Sequence, residues 1–252
     1  MSPDPTAVPL HGERLDLLPI AAEHAEELAA ALADPALHAF TGGRPATAEE
    51  MHARCARLAA GSPDPAERWG NWVLRLRADG ALVGYVQATV RPEETEVAWV
   101  VGTPWQRRGL ATEAARALLA HLTAAGVTTA VAHIHPDHRG SRRVAHAVGL
   151  RPTAHVLDGE TRWQADLTRP DLFPDVIGMT FEHAARLTAV AEECRPVLAG
   201  HGMEAVQRLL VEREVSMISA ILVTRVLLGP SGVPLHAARE AVELSAARQP
   251  DF

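Results

Sequence analysis

Six consecutive residues, Gln106-Arg107-Arg108-Gly109-Leu110-Ala111, have the types and spacing of a loop that could grip a diphosphate. Gly109 lacks the Cβ that would hold backbone away from a phosphate, and Ala111 is nearly as small. Free N–H groups at a helix N-terminus point outward, and the helix dipole favours an anion there. Arg107 and Arg108 add positive charge at the rim. The dipole alone contributes only about 0.3–2 kcal/mol, so such a site must rest on several N–H contacts acting together.

The elements that must position this loop are legible on both sides of it. Glu96 to Val101 carries Val97, Trp99, Val100 and Val101 close together, as a strand does. Gly102-Thr103-Pro104 interrupts it. A helix then starts near Gly109, with Leu110, Ala114, Ala117, Leu118 and Leu122 on one face. This strand, loop and helix resembles motif A of the GCN5-related N-acetyltransferases (the GNAT superfamily), in which Arg/Gln-x-x-Gly-x-Gly/Ala follows the fourth strand. The longer string from Trp105 to Ala114, W-Q-R-R-G-L-A-T-E-A, is similar to the RimJ/RimL branch, which acetylates protein N-termini or small amines. The resemblance implies acetyl-CoA as co-substrate, its pyrophosphate held by Gln106, Arg107, Arg108, Gly109, Leu110, Ala111 and Thr112. It also implies an oxyanion donor from backbone N–H groups around Val100 and Val101, where strand four splays from strand five.

An amine attacking a thioester must first be neutral. An α-amine of pKa about 8 is around a tenth neutral at pH 7, whereas a lysine side chain is neutral less than about one part in a thousand. A base on the central strand would serve either. Glu96 aligns with the glutamate many relatives carry there, and Glu94 shares its face by the two-residue period; both also read as solvated charges where the strand begins. Many relatives protonate the leaving thiolate from a tyrosine on a later helix. The single tyrosine here, Tyr85, lies far upstream, which leaves that role to Ser141. His135-Pro136-Asp137-His138-Arg139-Gly140-Ser141 resembles the family's Asn-x-x-Ser element, with His138 at the asparagine position that contacts the cofactor. Ser141 reads equally as a first-turn helix residue bonding to backbone. His133, His135 and His138 have no carboxylate or cysteine at ligand spacing, so they read as core or rim residues and no metal is expected. The acceptor is expected between Phe40 to Arg44 and the hairpin Asp158 to Trp163. There Asp158 and Glu160 could hold a cationic amine and Trp163 could pack its apolar part; surface charge is the alternative reading of the two carboxylates.

The chain has 252 residues, ample for a buried core and for one or two domains. A formal charge of −7 argues against a general nucleic-acid binder. All 24 basic residues are arginine, which removes lysine as a catalytic group. Cys55 and Cys194 stand alone, as suits a reducing cytosol. Charges at Asp4, Glu13, Arg14 and Asp16 occupy the place of a signal-peptide core. Met217 to Leu228 is too short for a membrane span and is interrupted by Arg225. The expectation is a cytoplasmic protein.

After a loose tail over residues 1–9, the pattern predicts a strand at Glu13–Ile20, a helix at Ala21–Ala33, and a second helix from the Thr47-Ala48-Glu49-Glu50 start signature to about Ala60. Two strands, Trp72–Arg77 and Ala81–Val90, flank an Asp79-Gly80 turn. The central strand and the Gly109 helix follow. Then come a strand at Thr128–His135, a helix at Arg139–Val148, and strands at Leu150–Leu157 and Thr161–Leu167. That order matches the family's α+β GNAT fold, a mixed, mostly antiparallel sheet flanked by helices, over residues 10–168. A proline-bearing linker, Arg169 to Asp175, leads into helical patterns alone. A small all-α appendage is therefore expected over 176–252, with Gly229-Pro230-Ser231-Gly232 as a stop. Its last stretch is faintly similar to the C-terminal domain of the ribosomal stalk protein, and it reads as a stabilising or dimerising module, making a homodimer possible. The function expected is transfer of an acetyl group from acetyl-CoA to a protein N-terminus or small-molecule amine. The alternative is a non-catalytic acyl-CoA-binding or protein-interaction module.

Overall fold

Alternation of apolar and polar side chains writes itself into one eight-stranded sheet. The computed structural model describes residues 8–40, 42–169, 171–174, 176, 178–229 and 233–248. The tail over 1–7, Thr41 of the first helical loop, Pro170 and Asp175 of the linker, and the Pro230-Ser231-Gly232 stop lie outside the described residues. The strands are β1 (Leu10–His11), β2 (Leu15–Pro19), β3 (Arg68–Leu76), β4 (Leu82–Val90), β5 (Thr95–Val101), β6 (Thr129–Ile134), β7 (Arg151–Leu157) and β8 (Glu160–Asp166). Their order across the sheet is β1-β2-β3-β4-β5-β6-β8-β7. Every pairing is antiparallel except β5 with β6. A parallel pair needs a crossover, and the helix α3 supplies it below.

Helices α1 (Ala25–Ala31) and α2 (Ala48–Ala59) cover one face of the sheet, and α3 (Leu110–Ala124) and α4 (Arg139–Ala147) belong to the other. On the α3 face, Leu15, Leu17, Trp72, Leu74, Val86, Val97 and Val101 pack against Leu110, Leu118 and Leu122. On the α1–α2 face, Val73, Tyr85 and Val100 pack against Leu28, Met51 and Cys55. The start signature of α2 is a complete capping box: the Glu50 N–H donates to Thr47 Oγ1 at 3.2 Å, and the Thr47 N–H donates to Glu50 Oε2 at 2.8 Å. Arg44 pairs with the same carboxylate at 2.6 Å and, with the Thr47 amide, pulls the Glu50 pKa down to about 2. Thr47→Ala is expected to destabilise the protein by about 1 kcal/mol, seen as a lower urea midpoint with an unchanged slope.

The order of elements follows the sequence pattern, with differences of detail, among them that the helix expected at Ala21–Ala33 is a 3-10 turn at Ala22–His24 followed by the shorter α1. β1 is a two-residue strand that the pattern did not single out. Short 3-10 turns at Pro35–His38 and Thr103–Trp105 replace plain loop. β3 begins at Arg68, four residues before the predicted start, because pairing with β4 outweighs the weak strand propensity of Gly70 and Asn71.

The chain divides into two compact units, Met1–Pro170 and Asp171–Phe252. The second is helical: α5 (Phe181–Glu212, broken at Gly202), α6 (Met217–Leu228) and α7 (Leu235–Glu243). It has its own core of Leu187, Ala191, Cys194, Val206, Leu210, Val223 and Val242. Inside it, Gln207 donates to Thr224 Oγ1 at 2.9 Å, which satisfies two buried polar groups. Among the described residues no helix is long and apolar enough to cross a membrane.

Candidate active site

The diphosphate-type loop leaves β5 and enters α3 with two residues in the left-handed region, Arg107 at φ 59° and Gly109 at φ 78°. A residue with a Cβ resists that conformation, which accounts for glycine at the helix start. The N-cap of α3 is Gly109, which has no side chain to cap it, so the first-turn N–H groups face outward without an acceptor from the N-cap side chain. Arg107 and Arg108 are exposed. Leu110 is buried in the core, so it can offer a ligand only its backbone, and Ala111 and Thr112 are half-buried behind it. Gln106 turns back instead of outward, donating from Nε2 to the Val101 carbonyl at 3.0 Å. These residues fit a diphosphate: donors, small size and positive charge are all present at one helix end.

A clamp that the sequence reading missed holds this helix end in place. Glu113, in the first turn of α3, accepts from the Arg14 N–H at 2.6 Å, the Leu15 N–H at 3.1 Å and Arg14 Nε at 2.8 Å. Arg14 Nη1 donates to the Arg108 carbonyl at 2.9 Å, tying β2 to the loop itself. Burial pushes the Glu113 carboxyl up, but the Arg14 amide and guanidinium outweigh it and hold its pKa below the usual range. Gly12 makes the room: a Cβ there would lie 2.6 Å from Glu113 Oε1. The local signal was only a glutamate in a helix first turn, and its partners lie about a hundred residues away.

Beside the loop, β5 and β6 pair at Thr95 with Ala130 and at Glu96 with Val131, and nowhere beyond. The remaining lengths of both strands therefore separate. Hydrogen bonding to β4 fixes which amides face that gap. The Arg91 N–H donates to the Glu94 carbonyl and the Gly102 N–H to the Val83 carbonyl, so by antiparallel alternation the even residues of β5 bond β4. Val100 therefore spends its N–H on β4, contrary to the expectation that it serves an oxyanion. The amides of Trp99 and Val101 turn toward the gap.

On the α1–α2 face of the sheet, Leu58, Glu67, Trp69, Asn71, Gln87, Thr89 and Arg91 line a cavity of about 260 Å³. Gln87 Nε2 donates to Asn71 Oδ1 at 2.6 Å, and Trp69 Nε1 to Glu67 Oε2 at 3.1 Å. Arg91 Nε donates to Glu67 Oε1 at 2.7 Å and holds that carboxyl below its usual range. The other end of the guanidinium reaches Glu96 Oε2 at 3.4 Å. Glu96 Oε1 in turn lies 3.2 Å from His133 Nδ1. Glu94 is paired at 2.6 Å with Arg162, which also donates to Gln164. Sequence reasoning found Glu94 and Glu96, read His133 only as a core or rim residue, and missed the rest; polar residues at every second position of otherwise apolar strands were the available signal.

The other expected site residues fall into two groups. Phe40 stacks on His138, centroids 4.5 Å apart, and lies 5.2 Å from His135. His138 is the N-cap of α4, its Nδ1 accepting from the Ser141 N–H at 3.4 Å. Burial pushes the His138 imidazole toward its neutral form, with His135 adding to the effect and Glu160 opposing it. Phe40, His138, Ser141 and the charge of Glu160 thus gather at the start of α4. Trp163 does not join them. It stands opposite Ala132 with 5 % of its surface exposed, in the α3-side core, because β8 alternates and the Glu96 side falls to Arg162 and Gln164. Asp158 is exposed at the tip of the β7–β8 turn, with φ 50°. Tyr85, set aside on sequence distance, faces the α1–α2 side opposite Val100, its hydroxyl accepting from Arg54 Nη2 at 3.0 Å. Among the described residues no cluster of histidine, cysteine and carboxylates could hold a metal.

Residues 14–151 match the family model for the acetyltransferase (GNAT) domain. No curated protein matches the chain. Among solved structures, a GNAT-family acetyltransferase from Bacillus anthracis has a TM-score of 0.56 at 17 % identity, covering 64 % of this chain and 100 % of that one. RimL, a ribosomal-protein alpha-N-acetyltransferase, has a TM-score of 0.53 at 13 % identity, over 63 % of this chain and 94 % of its own. MccE, a microcin self-immunity acetyltransferase solved with acetyl-CoA and AMP, has a TM-score of 0.50 at 16 % identity, over 65 % and 99 %. At these identities the likeness is one of fold.

Proposed function

Because the chain belongs to the GNAT acetyltransferase family, we propose that it transfers the acetyl group of acetyl-CoA to a protein N-terminus or a compact primary amine by direct attack. The observation that carries this reading is an uncapped N-terminus on α3 standing directly after a strand that parts from its parallel neighbour. Acetyl-CoA supplies an acyl group activated as a thioester. The backbone from Gln106 to Thr112 would hold the diphosphate, with Arg107 and Arg108 adding charge. The amides of Trp99 and Val101 supply donors in the gap for an oxygen that gains charge during attack. Ser141, at the start of α4, would serve the departing sulfur.

The cavity beside Trp69 would receive the acceptor. At about 260 Å³ it lies just under the usual range for drug-sized ligands, about 300–1,000 Å³, which suits one amino-terminal residue or a small amine. Of the charged groups only Glu67 and Arg91 line the cavity; Arg91 also reaches Glu96, and Arg162, opposite His133, pairs with Glu94, so the cluster that adjoins it sets three carboxylates against two guanidiniums. That balance favours an arriving cation, and its proton would leave toward the cluster around Glu96.

Calorimetry with coenzyme A and acetyl-CoA, followed by a mass-spectrometric screen of N-terminal peptides, polyamines and aminoglycoside-type amines, tests the reading. Absence of binding heat would defeat it, and tight binding without transfer to any amine would favour a non-catalytic acyl-CoA-binding module. Trp69→Ala is expected to raise the acceptor KM about tenfold and leave kcat and the coenzyme A Kd near their original values, the pattern for lost uniform binding. A fall in kcat alone would move the acceptor elsewhere.

A further inference from the structure

We propose that His133, and not Glu96, takes the proton from the attacking amine, and that Glu96 is the positioning residue that makes His133 a base. The proposal rests on the acetyltransferase reading above. Both oxygens of Glu96 are already engaged, Oε1 with His133 Nδ1 at 3.2 Å and Oε2 with Arg91 Nη1 at 3.4 Å. An ionised carboxylate can only accept, so Nδ1 carries the hydrogen and donates it. Nε2 is thereby left with its lone pair as the proton acceptor. The same division of labour operates in Ser-His-Asp triads, where the acid sets the tautomer and the imidazole moves the proton.

Position agrees with this role. His133 sits two residues beyond Val131, the last residue of β6 paired with β5, so it stands on the β6 limb where the strands part. Its side chain is 19 % exposed, sheltered yet reachable. From the β5 limb, the Trp99 amide turns toward the same gap. The charged and titratable groups around His133 are Glu96 on β5 with Arg91 behind it, and Arg162 directly opposite on β8 with its partner Glu94. His135 lies two residues further on, just past the end of β6.

In the step, the amine nitrogen forms the C–N bond and the C–S bond breaks, with its electron pair leaving on sulfur. One N–H proton passes to His133 Nε2, which later releases it to water. The thiolate takes a proton from solvent, either directly or relayed by Ser141, which regains its own proton from water, so the products are an acetylated amine and coenzyme A thiol.

The test uses the full chain. In the free protein, 15N NMR of the imidazoles, with the His133 signals identified by their loss in His133→Gln, is expected to show the Nδ1–H tautomer, and Glu96→Gln is expected to abolish that preference. With an acceptor from the screen, His133→Gln is expected to lower kcat about 10²–10⁴-fold while the coenzyme A Kd stays unchanged. The one-proton loss of turnover toward acid should vanish in that variant. His133→Gly should regain activity with added imidazole. An Nε2–H tautomer, or a His133→Gln variant with full kcat and an unaltered acid limb, would overturn the proposal. Wild-type protein that binds no coenzyme A, or transfers to no amine, would instead defeat the acetyltransferase reading, and the tautomer measurement would still stand by itself.

Discussion

Gly109→Pro is expected to weaken coenzyme A binding by about 10²–10⁴-fold, measured by calorimetry. Two effects combine. Gly109 sits at φ 78°, whereas a proline ring fixes φ near −65°, so the turn into α3 cannot keep its shape. Proline also deletes one N–H from the row at the start of the helix, and the neighbouring donors lose their aim. Charge-assisted hydrogen bonds contribute about 1.5–3 kcal/mol each, so losing two accounts for the stated range. The interior of α3 begins after this residue and its buried face of Leu110, Leu118 and Leu122 is untouched, so the variant should keep its far-ultraviolet spectrum. Gly109→Ala, which strains the turn by about 1–2 kcal/mol but keeps the N–H, should fall between. Equal affinity in all three proteins would mean that the loop does not hold the diphosphate.

Glu113→Ala is expected to lower stability by about 2–4 kcal/mol, because it strands the amides of Arg14 and Leu15 and leaves the Arg14 guanidinium without its carboxylate. All five tryptophans lie in the first unit, so their fluorescence during denaturation reports on that unit alone. The pH dependence follows from the lowered Glu113 pKa. In the folded protein the carboxyl binds its proton later than in the unfolded chain, whose glutamates titrate near pH 4.3. The clamp's contribution is therefore fully present above that value and drains away as pH falls through the folded pKa. The gap in stability between wild type and Glu113→Gln should accordingly be wide at pH 7 and close toward pH 3. A gap that does not change with pH would show that the carboxylate's charge is not what fastens the loop.

The two variants separate two kinds of information. Gly109 was legible because its job is local: a left-handed turn between a strand and a helix leaves its mark on six adjacent residues. Glu113 was not, since nothing in a first-turn glutamate says which backbone it will meet 99 residues earlier. Parity explains the remaining differences. Trp163 and Arg162 are neighbours in sequence, yet the pleat sends one to the core and the other across from His133. Val100 and Val101 likewise divide, one amide bonding β4 and the other facing the gap.

By itself the sequence determined the order of elements, the capped start of α2, the diphosphate-type loop and the helical character of the second unit. Short-range sterics and side-chain periodicity control all of these, and both are written within a few residues. Only the tertiary structure decided where β5 leaves β6, which amides that separation exposes, and that Glu96 would be shared between Arg91 and His133. Those outcomes depend on register between strands whose pairing residues lie 35 positions apart, Thr95 with Ala130 and Glu96 with Val131. Register is fixed by burial summed over the whole sheet rather than by any one stretch of chain.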